Sequence, residues 1–203
     1  MYRYSWEIAV RREISKLQTK VKKDPRNVEI LLQLGRLYSN INKPKEAMKA
    51  FEAILKIEQN NAEALVRLGD VESRMAGQAK SIEAKMKLSR EALMHLDGAV
   101  EKFPDQYIVY LVRGINGVYW PDMFQRYKTS IGDLMHVIEM KEKDPNIFKD
   151  GVLAELYYYL GVAHEKNKEF DEAKVCWEKV TNQYPHSTYY TKLSQGKLKS
   201  LKK

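Results

Sequence analysis

Four histidines, one cysteine and a scatter of carboxylates are the side chains here that could serve as metal ligand, nucleophile or general base. Their spacing argues against each use. His95, His136, His164 and His186 lie far apart and share no metal-ligand interval. His164-Glu165 opens like a zinc-protease helix, which needs a second imidazole four residues on so that both reach one ion from one face. Lys168 stands there instead. Cys176 lacks the neighbouring basic cluster that would draw out a thiolate. Gly114 and Gly117 fall inside an apolar helical run rather than a phosphate-cradling loop, and the serine-hydrolase and dinucleotide-binding signatures are absent. The expectation is a chain with no catalytic residue, no metal and no cofactor, hence not an enzyme.

The elements that carry these residues follow a repeated grid of small and large side chains. Leu34-Gly35, Leu68-Gly69, Arg113-Gly114 and Leu160-Gly161 mark its first half. Ala92/Leu96/Ala99/Pro104 and Ala173/Trp177/Val180/Pro185 mark its second, with shared spacings of four, three and five, and Ala47/Phe51 begins the same way. Gly35 and Gly69 are 34 residues apart. Over about residues 27 to 187 this pattern resembles the tetratricopeptide repeat family, whose unit is a 34-residue helix-turn-helix. The resemblance implies an all-α, right-handed α-α superhelix of about four TPR-like helical hairpins with N- and C-terminal capping helices. A single hairpin cannot bury its apolar face, so neighbours must stack and the ends must be capped.

Composition agrees. With 203 residues, 44% apolar and 31% charged, the chain suits one elongated domain over 1–203. Pro25, Pro104, Pro145 and Pro185 each follow a helical run and Pro44 opens one. A single cysteine permits no internal disulfide, which suits a reducing compartment. There is no run of 18 apolar residues, and MYRYSWEIAVRREISK lacks the apolar heart of a signal peptide. The expected location is cytoplasmic, with a periplasmic or membrane-associated site as the alternative if a leader or anchor has been removed. The net charge of +8 sits at the ends: residues 1–26 hold eight basic and three acidic groups, and 186–203 hold five lysines and no acid. That distribution reads as solubility of two terminal helices, or as attraction to an acidic partner, nucleic acid or anionic membrane.

The expected layout is an N-terminal capping helix in 1–26, with Trp6, Val10, Ile14, Leu17 and Val21 on one face; repeat one at 27–60; and repeat two at 61–105. In repeat two Ala92 arrives eleven residues late, so helix B is expected over about 79–103, projecting about 16 Å past its neighbours, with Gly77 in the turn before it. Repeat three, 106–145, carries extra residues in VYWPDMFQRYK between its helices. There Tyr119, Trp120, Phe124 and Tyr127 either pack on the stripe of the projecting helix, which includes Met86, or form an exposed patch. Repeat four occupies 146–187, and 188–203 form a closing helix and basic tail with Tyr190, Leu193 and Leu198 inward.

The resemblance also assigns roles. Arg113 takes a place usually held by leucine, and burying it unpaired would cost several kcal/mol; Asp133, set just before Leu134, is its implied partner in a structural ion pair. His164 falls at the repeat position of Tyr38, a core place. In the family, ligands face the second, fifth, ninth, twelfth and thirteenth places of each first helix. Here those include Leu32, Arg36, Val66, Arg74, Ile108, Leu111, Ile115, Tyr119, Tyr158 and Val162. The lysine and asparagine clamp with which some relatives hold a peptide carboxylate is not carried over. The expected function is a noncatalytic protein-protein interaction scaffold or adaptor that binds a hydrophobic or amphipathic peptide in this concave groove. The alternatives are that the terminal helix covers the groove itself, that the basic ends bind an acidic partner, or that the chain is a homo-oligomer built through the inserted rim. Nucleic acid is disfavoured, and the partner is expected to be a protein or peptide.

Overall fold

A computed structural model describes the backbone of residues 2–201 and the side chains of 8–187 and 189–201. The described residues form ten α-helices and no strand, so the chain has the expected all-α class. They divide into two compact units, Met1–Pro104 and Asp105–Lys203.

The first unit contains α1 (Tyr2–Lys23), α2 (Val28–Asn40), α3 (Pro44–Ile57), α4 (Ala62–Gln78) and α5 (Ile82–Lys102). Its helix starts are written locally. The side chains of Asn27, Asn61 and Ser81 accept hydrogen bonds from the backbone N–H groups of Ile30, Ala64 and Ala84, satisfying donors that a helix start leaves orphaned. Along α1, Val10, Ile14 and Leu17 are buried in one apolar cluster with Leu34 of α2. The Trp6 side chain, expected on that face, lies outside the described residues.

The eleven inserted residues do not all lengthen one helix. α4 has 17 residues against 13 in α2, and α5 has 21 against 14 in α3. The whole α4-α5 hairpin is therefore longer, and Gly77 lies inside the last turn of α4 rather than in the connection. The reason is that the residues from Ser73 to Gln78 continue the helix of Leu68 and Val71 without a breaker. Ala79 and the Ser81 cap, rather than the glycine, end one helix and start the next.

The second unit contains α6 (Tyr107–Gly117), a 3-10 turn (Asp122–Phe124), α7 (Arg126–Lys143), α8 (Gly151–Lys166), α9 (Phe170–Gln183) and α10 (Thr188–Ser200). The loop before α8 is pinned by Lys141, which donates to the Phe148 carbonyl at 2.6 Å and pairs with Asp150 at 2.9 Å. Phe148 is buried and packs on Tyr107. In both units the turn from first to second helix can close with a left-handed residue: Asn42 (φ 56°) after α2 and Lys168 (φ 65°) after α8. At each, the next N–H returns to a carbonyl five residues back, Lys43 to Tyr38 and Glu169 to His164, which caps the helix end.

The core shows why the grid takes its form. Ala47, Phe51 and Ile54, Ala92, Leu96 and Ala99, Ser130, Leu134 and Val137, and Ala173, Trp177 and Val180 are all fully buried. A Cβ on Gly35 would meet the Phe51 ring at 2.5 Å, one on Gly114 the Leu134 side chain at 2.9 Å, and one on Gly161 the Trp177 indole at 2.4 Å. Each glycine is the seat for the large residue of the second helix.

Candidate functional site

Places five, nine and thirteen of the first helices of repeats one and two, all in the first unit, are largely committed to the protein itself. Val66 is fully buried and Leu32 nearly so, which removes both from the set of residues a partner could touch. Leu32 packs in the cluster that holds Ala47, Phe51 and Ile54 of α3. Arg36 grips Glu63 through two guanidinium nitrogens, one at 2.8 Å, and Arg67 pairs with the same carboxylate. Burial alone would raise the Glu63 pKa, but the two guanidiniums outweigh it and hold the carboxyl below its ordinary value. Arg74 pairs with Asp70 at 2.8 Å and donates to the Ser39 carbonyl. This face carries ion pairs.

The second unit differs. Leu111 is buried and also closed to a partner, packed into the cluster with Leu134 and Leu156. Ile108, Ile115, Tyr158 and Val162 are half-buried, and Tyr119 is 68% exposed. Tyr119, in the turn after α6, and Tyr158 belong to a continuous row of five tyrosines completed by α8 and α10. Ring centroids are 6.0 Å apart for Tyr119 and Tyr159, 5.1 Å for Tyr158 and Tyr159, 6.2 Å for Tyr159 and Tyr190, and 5.1 Å for Tyr189 and Tyr190. The Tyr119 and Tyr159 hydroxyls share a 2.9 Å hydrogen bond, and Tyr190 donates to Glu155 at 2.5 Å. Burial first, then neighbouring phenols and acidic groups, raises the pKa values of Tyr158, Tyr159 and Tyr190. The row offers ring faces and hydroxyls.

Tyr159, Tyr189 and Tyr190 are site residues that the repeat places did not select. The signal was present in the runs YYY at 157–159 and YY at 189–190: consecutive residues turn by about 100° on a helix, so three adjacent tyrosines cannot all be core. α10 contributes to this face and also narrows it, since Tyr190 lies against Tyr158 at 5.7 Å and Lys197 pairs with Glu165.

At the inserted rim, Trp120 is not an exposed anchor. It is buried and its indole N–H donates to Asn116 at 2.7 Å, because the loop after α6 folds its indole back over the preceding helical turn. Phe124 stacks edge-on against it at 5.5 Å and stays half open, Tyr127 is half-buried, and Met86 on α5 is exposed. Arg113 donates to both Asp133 oxygens at 2.7 and 2.8 Å, the two side chains being largely buried. His164 and His95 are each held by one glutamate, Glu169 at 2.6 Å and Glu72 at 2.7 Å. Burial pushes the Cys176 thiol up to about 11, leaving it neutral. Among the described residues no group of three His, Cys, Asp or Glu could hold a metal, and no helix is long and apolar enough to cross a membrane.

Two family models for the tetratricopeptide repeat match the chain, one over residues 14–71 and one over 154–187. No curated protein matches it at a significant level. Among solved structures, the chain is similar to TTC0263, a thermophilic TPR protein of Thermus thermophilus, with a TM-score of 0.77 at 15% identity over 97% of this chain and 94% of that one. It is also similar to MamA from Desulfovibrio magneticus RS-1, with a TM-score of 0.51 at 15% identity over 85% and 88%. YrrB, described as a TPR protein with an unusual peptide-binding site, gives 0.50 at 18% identity over 94% and 86%. At these identities the likenesses speak for the fold. With the repeat matched over 14–71 and 154–187 and helical hairpins in both units, the chain carries tetratricopeptide repeats, and proteins built of these repeats generally mediate protein-protein interactions.

Proposed function

We propose that the chain is a noncatalytic adaptor that holds a hydrophobic segment of a partner protein against the tyrosine face of α6, α8 and α10. The observation that carries this reading is the row of five tyrosines whose two end members, Tyr119 and Tyr189, are 68% and 66% exposed while the members between them are fixed by ring contacts and hydrogen bonds. Tyrosine loses little conformational freedom on binding and presents both apolar area and a hydroxyl, which makes it a common interface anchor. Here the rings are pre-ordered, so the ordering cost is already met before a partner arrives. Half-buried Ile108, Ile115 and Val162 extend the apolar ground beside them. The peptide-binding description of YrrB is in keeping with this reading.

The test begins with selection from a displayed peptide library on the full chain, followed by affinity measurement for the selected peptides. Tyr119→Ala/Tyr189→Ala removes exposed rings without opening the core and should weaken those peptides at least tenfold. Equal affinity for the double variant and the wild type would place binding elsewhere.

A further inference from the structure

A second depression lies between α7, α8 and α9. On α8 the tyrosine face is built from Glu155, Tyr158 and Val162, whereas Tyr157, Leu160 and His164 look to the opposite side, since successive residues turn by about 100°. The depression encloses about 590 Å³, and its floor is apolar: Met135, Ile138, Leu160, Val175 and Cys176. Met135 and Val175 are 47% and 62% exposed, an unusual placement for adjacent apolar side chains on two helices. The walls are acidic on both sides, with Glu139 and Glu142 from α7 and Asp171 and Glu172 from α9. Glu142, Asp171 and Glu172 enter no salt bridge among the described residues, and Glu139 has His136 at 3.8 Å. Lys179 closes one end with its ammonium seated over the Tyr157 ring at 4.4 Å. In a chain of net charge +8, four carboxylates around one apolar floor concentrate a negative field that most of the surface does not have.

Met135 to Glu142 span about 11 Å along α7, and Asp171 to Lys179 about 12 Å along α9, so the groove is two helical turns long. The protein's own basic helices do not supply the occupant. α1 has already buried Val10, Ile14 and Leu17 beside α2, and α10 is tied down through Tyr190 and Lys197. We propose that this groove is a docking site for a basic amphipathic helix of a partner protein. Its apolar stripe would fill the floor, and lysines or arginines along both edges would meet the paired carboxylates of the two walls.

The probe is a fluorescein-labelled synthetic helix of roughly 15 residues, with leucines at helical spacing and lysines on both edges of that stripe. Two matched controls replace the lysines by glutamates or scramble the order. Anisotropy with the full chain should show binding of the lysine peptide alone, falling steeply with salt. Glu142→Lys/Asp171→Lys should weaken it at least tenfold and Val175→Glu should abolish it, with helicity by circular dichroism unchanged. Tyr119→Ala/Tyr189→Ala should leave it intact, which separates this groove from the tyrosine face. The proposal is overturned if the lysine peptide fails to bind, if either control binds equally, if the charge reversal has no effect, or if the tyrosine variant loses binding. A dimer of the protein alone that Val175→Glu dissociates would also overturn it, by assigning the groove to a second copy.

Discussion

Gly69→Ala adds one methyl group where α4 and α5 approach backbone to backbone. The new Cβ would lie 2.9 Å from the Ala92 carbonyl oxygen, 2.9 Å from Leu96 Cγ and 3.0 Å from the Leu96 amide nitrogen. Since nonbonded carbon contacts are comfortable at about 3.5 Å or more, α5 must withdraw by about half an ångström. A side chain could rotate away, but a carbonyl in the middle of a helix cannot. The withdrawal loosens Ala92, Leu96 and Ala99, all fully buried. Overpacking of this kind costs about 1–3 kcal/mol, against about 1 kcal/mol recovered because alanine is the better helix former. The expected net effect is a loss of up to about 2 kcal/mol. Gly98→Ala in α5 is the matched control: nothing lies within 4 Å of its Cβ, so only the helix-propensity gain of up to about 1 kcal/mol remains. Urea unfolding of the full chain followed at 222 nm should place the two midpoints on opposite sides of the wild type. Amide exchange in α4 and α5 should localise the Gly69→Ala loss. A Gly69→Ala midpoint at or above the wild type would refute the close-approach argument.

Three further outcomes follow from other sites. Asp133→Ala leaves the Arg113 guanidinium buried without its carboxylate and should destabilise the second unit by about 3 kcal/mol, whereas Arg113→Met/Asp133→Leu should recover most of that loss in the same urea experiment. His95 has its pKa raised above the ordinary value, chiefly by its hydrogen bond to Glu72, so the stability it contributes is complete below the unfolded-state value and disappears as pH rises through the folded-state one. Unfolding midpoints of the wild type should therefore fall from pH 6 toward alkaline pH more than those of His95→Gln, and parallel curves would remove that linkage. Lys168→Gly relieves a left-handed backbone that α8 requires at its end and should raise stability by about 0.5–1 kcal/mol, as measured by its unfolding midpoint.

By itself, the order of residues determined that this chain makes helical hairpins and which side chains meet inside them. The spacing from Gly35 to Ala47 and Phe51, or from Gly161 to Ala173 and Trp177, is a local contact rule: a missing Cβ on one helix makes room for a ring on the next. That rule holds wherever the hairpin sits, so the core could be read in one dimension. Exposure could not, because it depends on what neighbouring helices cover. Val66 and Tyr158 hold the same repeat place, yet the first is fully buried, while the second joins a tyrosine row completed by α10, more than thirty residues downstream. The extra length of repeat two was visible as a count, and its division between α4 and α5 follows a local signal, the Ser81 cap rather than Gly77. The acidic groove is the clearest case. Glu142 and Asp171 lie 29 residues apart in different repeats, and only the packing of α7 and α9 on α8 sets their carboxylates on two walls of one apolar floor.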